Sequence, residues 1–486
     1  MNPRKDHQPI EEQVAGWRTR GSARVPAQPA IIEVADPATG GVLATVSGGR
    51  RAEAVQAVDA AASALPQWSS RRPPERARAL REAADALRLA VEELASLITL
   101  ETGKRLAEGR AEVGLSADFL DWFADAAATS ASREWNVRPG ITHHVEEQPL
   151  GVVAVLTPWN FPLSIPARKL AAALAAGCTT VFKPSEVAPL SGLRLAEILE
   201  AAVPPGTVET VAGPAAEIAD TWIADRRVRG LTFTGSTRVG RIIAAQGAGR
   251  FLRTVLELGG SAPFIVLPDA DLAAAAECLM IAKFRNNGQS CIAANTAWVP
   301  RDRMDEFMQH MTGAIEALAV GDPLDEQTGL GPTCLPSDPA RLADLAEDAR
   351  RSGARIVSPG GPRDRDGGFF AEPVICVEPG DARVMREEIF GPVLPVASYE
   401  DLDTVIERAN DSPLGLAGYV CGTDVAAARQ VASRIDVGIV GINTAAANTP
   451  QIPFAPRRDS GLGTEGSRTG LEEFVARQSV AVAPPG

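Results

Sequence analysis

The sequence predicts an α/β protein assembled from two parallel-sheet units. Two observations carry this expectation. Beyond residue 140, short β-rich runs alternate with Ala-rich helical runs, the pattern of strands joined by crossover helices. That alternation occurs in two series, and 486 residues are too many for one hydrophobic core.

The elements follow in order. Residues 31–47 (IIEVADPATGGVLATVS) alternate apolar and polar around a Pro-Ala-Thr-Gly-Gly turn, which predicts a hairpin. From 50 to 128 the chain is rich in Ala, Leu, Glu and Arg at helical spacing. Pro73-Pro74 restarts a helix whose Leu80, Leu87, Val91, Leu94 and Ile98 share one face, as a core-facing helix requires. After Pro139-Gly140 the pattern changes. GVVAVLT (151–157) is expected as a strand, then a helix near 164–176, a strand TTVFK (179–183), a helix near 189–202, and LTFT (231–234) leading into another helix. A second series runs from PFIVL (263–267) to GIVGIN (438–443), placing the boundary between units near 257–261. The Gly/Asp/Arg-rich stretch 359–368 is expected to be an exposed loop.

Composition narrows the function. Apolar residues at 45% and charged residues at 22% are the proportions of a soluble globular protein, and a net charge of -13 disfavours nucleic acid as a partner. The six cysteines are dispersed, with no Cys-x-x-Cys or Cys/His cluster, so neither a disulfide framework nor a metal site is expected. Residues 1–30 lack the apolar core of a signal peptide, and the longest apolar run, 170–182, is too short to span a bilayer. No membrane partner and a cytoplasmic location are the expectation.

Several segments carry chemistry. In LTFTGSTRVGRIIAA (231–245) a strand enters Gly235-Ser236-Thr237 and a helix leaves, so free backbone N–H groups and a positive helix end can meet a phosphate, although a purely structural turn reads the same way. Arg241 and Ile242 stand where a nucleoside triphosphatase needs Lys and Ser or Thr. The literal Gly-x-Gly-x-x-Gly at 461–466 follows no strand and so fails the context for a dinucleotide fingerprint. Cys291, in KFRNNGQSCIAAN (283–295), has polar neighbours, which suits an accessible, reactive thiol better than a buried structural one. Glu257, in LELGGSAP (256–263), sits between leucines; a carboxylate in an apolar setting holds its proton more tightly and can act as a general base, unless it is salt-bridged or caps a helix. In TPWNFP (157–162), two prolines stiffen the segment after a strand, leaving the Asn160 amide available to an oxyanion, or simply making a turn.

These segments together resemble the aldehyde dehydrogenase superfamily, most closely its succinate-semialdehyde dehydrogenase group. The resemblance extends from about residue 31 to 480 and rests on PWNFP (158–162), KPSE (183–186), FTGSTRVG (233–240), ELGG (257–260), NNGQSC (286–291) and EEIFGP (387–392), in that order. It implies an aldehyde dehydrogenase-like α/β fold with two doubly wound parallel-sheet domains plus a small β oligomerisation element. The dinucleotide-binding domain is then 1–128 with 148–257, the catalytic domain 258–459, and the oligomerisation element 129–147 with 475–486, in a homodimer or homotetramer.

The resemblance also implies roles. Cys291 attacks the aldehyde, Asn160 and the Cys291 backbone N–H hold the oxyanion, and Glu257 activates the water that hydrolyses the thioester. One oxyanion donor is typically worth roughly 3 kcal/mol. Members that acylate coenzyme A generally lack this glutamate, so a non-acylating enzyme is implied. For the cofactor, Lys183, Ser185 and Glu186 meet the adenosine half, Thr157, Trp159, Gly235 and Ser236 approach the pyrophosphate, and Glu388 and Phe390 hold the nicotinamide ribose. A carboxylate at Glu186 favours NAD, with NADP possible.

The small-molecule aldehyde is expected to bear a carboxylate, because Arg168 and Arg285 stand where the semialdehyde group grips one; either arginine is otherwise an ordinary ion pair. A dehydrogenase for neutral or aromatic aldehydes is the alternative. Where that group usually places a serine, this chain offers Asn448 or Thr449. Ala455, Pro456, Arg457 and Arg458 follow Phe454 in place of Gly-Gly and a lysine, and Thr464 and Thr296 also depart from the pattern. Ala293 removes the second cysteine that some relatives use as a redox lock.

Overall fold

A computed structural model describes residues 29–128, 133–138, 140–359 and 367–483. The 359–368 loop expectation falls largely outside them.

The fully buried runs fold as the central strands. Val152–Leu156 and Thr179–Lys183 carry apolar or β-branched residues at nearly every position, because a parallel strand is covered on both faces. They pair in parallel, joined by the Ala-rich helix Ser164–Ala176, which ends at Gly177. Val228–Thr234 and Arg253–Glu257 extend the same sheet, and its six strands are completed by Val208–Thr210 and by the two-residue edge strand Gly461–Leu462. That last strand runs antiparallel to Arg253–Glu257 and uses the opening of the literal Gly-x-Gly-x-x-Gly run as sheet edge.

The helices Arg51–Ser69, Pro73–Leu89, Val91–Thr102 and Leu106–Ala128 pack about this sheet, with Trp68, Leu80, Phe119 and Phe123 buried against Val153, Val155 and Leu170. Pro73 opens its helix, and Glu75 accepts the Arg72 N–H at 2.9 Å, so proline and an acidic first turn both sit where the free N–H groups are. The hairpin is Ala30–Ala35 with Val42–Gly48.

The second sheet has seven strands, with Val393–Tyr399, Ala294–Pro300 and Ala262–Val266 at its centre. Its edge strand Arg355–Val357 is antiparallel, so neither large sheet is wholly parallel as the sequence suggested. The chain crosses between the sheets at 258–261. A separate three-stranded antiparallel sheet joins Val475–Val482, Ile141–Pro149 and Arg133–Arg138 within this one chain. No helix among the described residues is long and apolar enough to cross a membrane.

Candidate active site

A cavity of about 150 Å³ lies between the two large sheets and is lined by Cys291, Glu257, Arg168, Arg285, Glu108 and Asn448, among others. Its walls come from helix Leu106–Ala128, from the carboxyl ends of the first sheet's strands, where open α/β sheets form ligand crevices, and from loops flanking the strands of the second.

Two glycines set the closeness of this junction. A side chain at Gly260 would put its Cβ 1.9 Å from the Cys291 carbonyl oxygen, so ELGG and the cysteine loop meet only because the position is bare. Asn286 and Asn287 both take left-handed φ of 55°, which asparagine tolerates better than most residues. Each is fastened by its amide: Asn286 Nδ2 donates to the carbonyls of Asn160 and Gln289 at 2.9 Å, and Asn287 Nδ2 to those of Gly103 and Pro332. Gly288 follows at φ 76°, its Cα face against the Gly391 carbonyl. The Cys291 loop is thus wound tightly and pinned to its neighbours.

Cys291 is half-buried, whereas the other five cysteines are buried. Its Sγ donates to Glu257 Oε1 at 3.0 Å. Burial pushes the thiol pKa well above its ordinary value, the negative charge of Glu257 pushes it further, and only Arg168 pulls the other way. The resting sulfur is therefore a protonated thiol.

Glu257 corrects the expectation of an apolar setting. Its Oε2 accepts from Arg168 Nη2 at 2.9 Å and from Thr234 Oγ1 at 3.0 Å. Arg168 Nη2 also lies 2.5 Å from Glu465 Oε2, and Lys169 pairs with Glu465 from behind. Burial works against the Arg168 charge, but Glu465 and Glu257 outweigh it and hold its pKa up. Arg168 lines the cavity as expected of it, yet its charge is already matched by two carboxylates of the protein. Asn160 is buried, and its Nδ2 donates to the Gln289 carbonyl at 3.1 Å, so one of its two amide hydrogens is committed, contrary to a freely available amide.

Arg285 is different. It lines the same cavity, and no hydrogen bond or ion pair with any described residue engages its guanidinium. Asn448 shares the lining and also borders an outer groove with Asp118 and Trp122; Thr449 is exposed, borders that groove and is not part of the cavity lining.

The residues expected at a dinucleotide are not part of this cavity's lining. Trp159 and Phe390 meet edge to face at 5.6 Å. Glu388 Oε1 accepts the Gly260 N–H at 3.0 Å, and burial raises its pKa. Lys183 Nζ pairs with Glu186 Oε2 at 2.5 Å, while Glu186 Oε1 takes the Ala215 N–H at the start of a helix. Burial lowers the Lys183 pKa against the pull of Glu186. The Thr157 N–H donates to the Lys183 carbonyl at 3.3 Å, and Ser185 Oγ accepts from Val187. Gly235 leads into helix Thr237–Ala248, which Ser236 caps through Oγ to the Val239 N–H; the first N–H groups of that helix, on Thr237 and Arg238, have no acceptor among the described residues. Paired aromatic rings, a carboxylate at the cleft and an open helix N-terminus fit the rings, ribose and phosphates of a dinucleotide.

Sequence reasoning missed Glu465, Lys169, Lys104 and Glu112. Lys104 Nζ, buried with Glu112, donates to the Asn160 carbonyl at 3.0 Å, while Glu112 Oε1 accepts the N–H groups of Leu163 and Ser164 at 3.0 Å. An acid and a base eight positions apart beside the ETGK run were the only local sign of that pair.

A family profile matches residues 25–480, and the chain belongs to the aldehyde dehydrogenase family, as an NAD(P)-dependent oxidoreductase. Among curated relatives it is 41% identical to a glutarate-semialdehyde dehydrogenase of Pseudomonas aeruginosa, over 91% of this chain and 92% of that one. It is 39% identical to the succinate-semialdehyde dehydrogenase [NADP(+)] of Escherichia coli, with the same coverage. Among solved structures, succinate-semialdehyde dehydrogenase from Burkholderia pseudomallei superposes with a TM-score of 0.91 at 38% identity, covering 93% of this chain and 95% of that one.

Proposed function

We propose that the chain oxidises a carboxylate-bearing semialdehyde, such as succinate semialdehyde, through a thiohemiacetal and a thioester on Cys291. The observation that carries this reading is the unmatched charge of Arg285. Behind the sulfur, Arg168 and Lys169 are balanced by Glu257 and Glu465. Arg285 adds a cation to the cavity wall with no partner, and an anionic substrate neutralises it in fork geometry. Relatives named for succinate, glutarate and aspartate semialdehydes are consistent with it.

Glu257 Oε1 takes the thiol proton across its 3.0 Å contact. The thiolate attacks the aldehyde carbon, and the new oxyanion is held by the second amide hydrogen of Asn160 and by the Cys291 backbone N–H, which has no acceptor among the described residues. A bound nicotinamide dinucleotide supplies the hydride acceptor. Glu257 first passes the thiol's proton to solvent; water, losing its proton to the regenerated carboxylate, then adds to the thioester and breaks its C–S bond, the acid leaves as the carboxylate, and Glu257 returns a proton to the Cys291 sulfur, so no coenzyme A is needed. In this reading 1–128 and 148–257 form the dinucleotide-binding domain and 258–459 the catalytic domain. NAD is preferred because Glu186 repels a 2′-phosphate, and the three-stranded sheet joins subunits into a dimer or tetramer.

The test is Arg285→Ala, assayed with succinate semialdehyde and with butanal. A charge-assisted contact of about 1.5–3 kcal/mol corresponds to a rise in KM of roughly 10–150-fold for the semialdehyde, with butanal changed less than twofold. Equal effects on both aldehydes would remove the reading.

A further inference from the structure

Lys104 and Glu112 line the catalytic cavity, both are buried, and the reaction steps leave both unused. Burying two charges is costly, and apolar side chains would fill the same space without that cost. What the pair touches gives it a use. Glu112 Oε1 accepts the N–H groups of Leu163 and Ser164 at 3.0 Å, free donors at the start of helix Ser164–Ala176. Its Oε2 pairs with Lys104 Nζ. A carboxylate fixed on one side by a helix end therefore fixes an ammonium on the other.

That ammonium has three hydrogens, and three electron-rich groups stand around it. They are Glu112 Oε2, the Asn160 backbone carbonyl at 3.0 Å, and the Phe161 ring, whose centre lies 4.1 Å from Nζ. The Asn160 carbonyl takes a second bond from Asn286 Nδ2 at 2.9 Å, and the Asn160 amide donates to the Gln289 carbonyl at 3.1 Å. Asn286 and Gln289 belong to the cysteine loop. Without Lys104, every hydrogen bond to Asn160 among the described residues would come from that loop alone.

We propose that Lys104 and Glu112 are positioning residues for the oxyanion: through the Asn160 carbonyl they set the direction of the amide hydrogen that the oxyanion accepts. The idea rests on the reading of Asn160 as an oxyanion donor and holds whichever aldehyde is oxidised. Such a donor works only where the charge develops, and a misplacement of about 1 Å can cost roughly 100-fold. Asn160 lies in the loop between strand Val152–Leu156 and helix Ser164–Ala176, outside the hydrogen-bond ladder of either. Charge-assisted bonds are roughly twice as strong as neutral ones, so a buried ammonium holds the carbonyl more firmly than a neutral donor would. Lys104 neither binds the aldehyde nor moves a proton. It acts through Asn160.

A double-mutant cycle tests this, read as kcat/KM at saturating NAD with succinate semialdehyde and with butanal. Asn160→Ala should lower kcat/KM by roughly 100–1000-fold, the loss for one oxyanion donor. Lys104→Met should lower it by roughly 10–100-fold, equally for both aldehydes. In the Asn160→Ala background the same change should cost less than about twofold, because residues that act through one another are not additive. In Lys104→Met, NAD affinity and alkylation of the resting Cys291 by iodoacetamide should stay within about twofold of the parent, since neither depends on an oxyanion. Losses that add in the double variant overturn the proposal, as does NAD affinity or alkylation that falls along with the rate. A lowered melting temperature with kcat/KM unchanged also overturns it, as does a loss confined to succinate semialdehyde. If Asn160→Ala itself keeps the parent rate, the assignment of Asn160 falls and the proposal with it. None of these outcomes except the confined loss bears on the semialdehyde reading, which the Arg285→Ala comparison decides. Where Lys104→Met does not fold, Glu112→Gln takes its place. It keeps an oxygen for the Leu163 and Ser164 N–H groups, removes the charge that holds Lys104, and should show a smaller loss with the same lack of additivity.

Discussion

Glu257 and Arg285 are charged side chains on the walls of one cavity, and they are held in opposite ways. Glu257 has a guanidinium, a hydroxyl and a thiol around it, and its partner Arg168 leads on to Glu465 and Lys169. Arg285 has none of these. The first end is a closed network: removing Arg168 leaves Glu257, and removing Glu465 leaves Lys169, buried without an ion-pair partner, a change that costs several kcal/mol. The second end has no internal constraint of that kind. Chemistry shared by many aldehydes belongs at the closed end, where geometry is over-determined. Choice among aldehydes belongs at the open end, where the missing partner is the substrate.

The largest test of this contrast is at the sulfur. Cys291→Ala should lower NADH production by on the order of 10⁴-fold or more, since no other cysteine is even half-exposed and the covalent route is lost. NAD binding, followed by quenching of tryptophan fluorescence, should survive. Turnover within tenfold of the parent would remove Cys291 from its role.

The next effect is on pH. Burial and Glu257 together raise the Cys291 pKa, so the thiolate is scarce at neutrality and grows with pH. In the free enzyme, inactivation by iodoacetamide should climb about tenfold per pH unit from 7 to 9, because alkylation follows the thiolate fraction. The half-buried Cys291 is the cysteine it should modify, and mass spectrometry of the labelled peptide checks this. A rate that levels off below pH 8 would show a thiol already ionised and would break the closed-network picture at its centre.

How much of this was legible in the sequence depended on range. Cys291, Glu257 and Asn160 announce themselves through neighbours a few positions away; the structure puts Cys291 and Glu257 in contact on one cavity wall, while Asn160 is tied to the Gln289 carbonyl, two positions before the sulfur, and is not part of that lining. The buried central strands and their crossover helices were also readable, since period and composition are local properties. Glu465 was not: it sits inside a glycine-rich run that matched a phosphate motif, and its partner Lys169 is 296 positions away. The pairing of Arg168 was hidden for the same reason, because a helix position says which face a side chain takes and nothing about which acid waits there. The antiparallel edge strands, three residues at Arg355–Val357 and two at Gly461–Leu462, are too short to carry a period.

The smallest effect sharpens the open end. Asn448 and Thr449 are adjacent, and sequence offered either as the group that completes the substrate site. The structure differs between them: Asn448 lies on the wall shared by the cavity and the outer groove, while Thr449 is exposed and borders the groove alone, beside Pro450 and Gln451. A neutral hydrogen bond contributes about 0.5–1.5 kcal/mol, so Asn448→Ala should raise KM for succinate semialdehyde by roughly 2–12-fold. Thr449→Ala should change it by less than twofold, as surface substitutions away from a site usually do. The reverse order would mean that the loop turns over when substrate binds, so that the groove now outside the cavity becomes part of it. In that case the open end is wider than Arg285 and Asn448 define, and a longer or bulkier acid semialdehyde becomes the better substrate to assay.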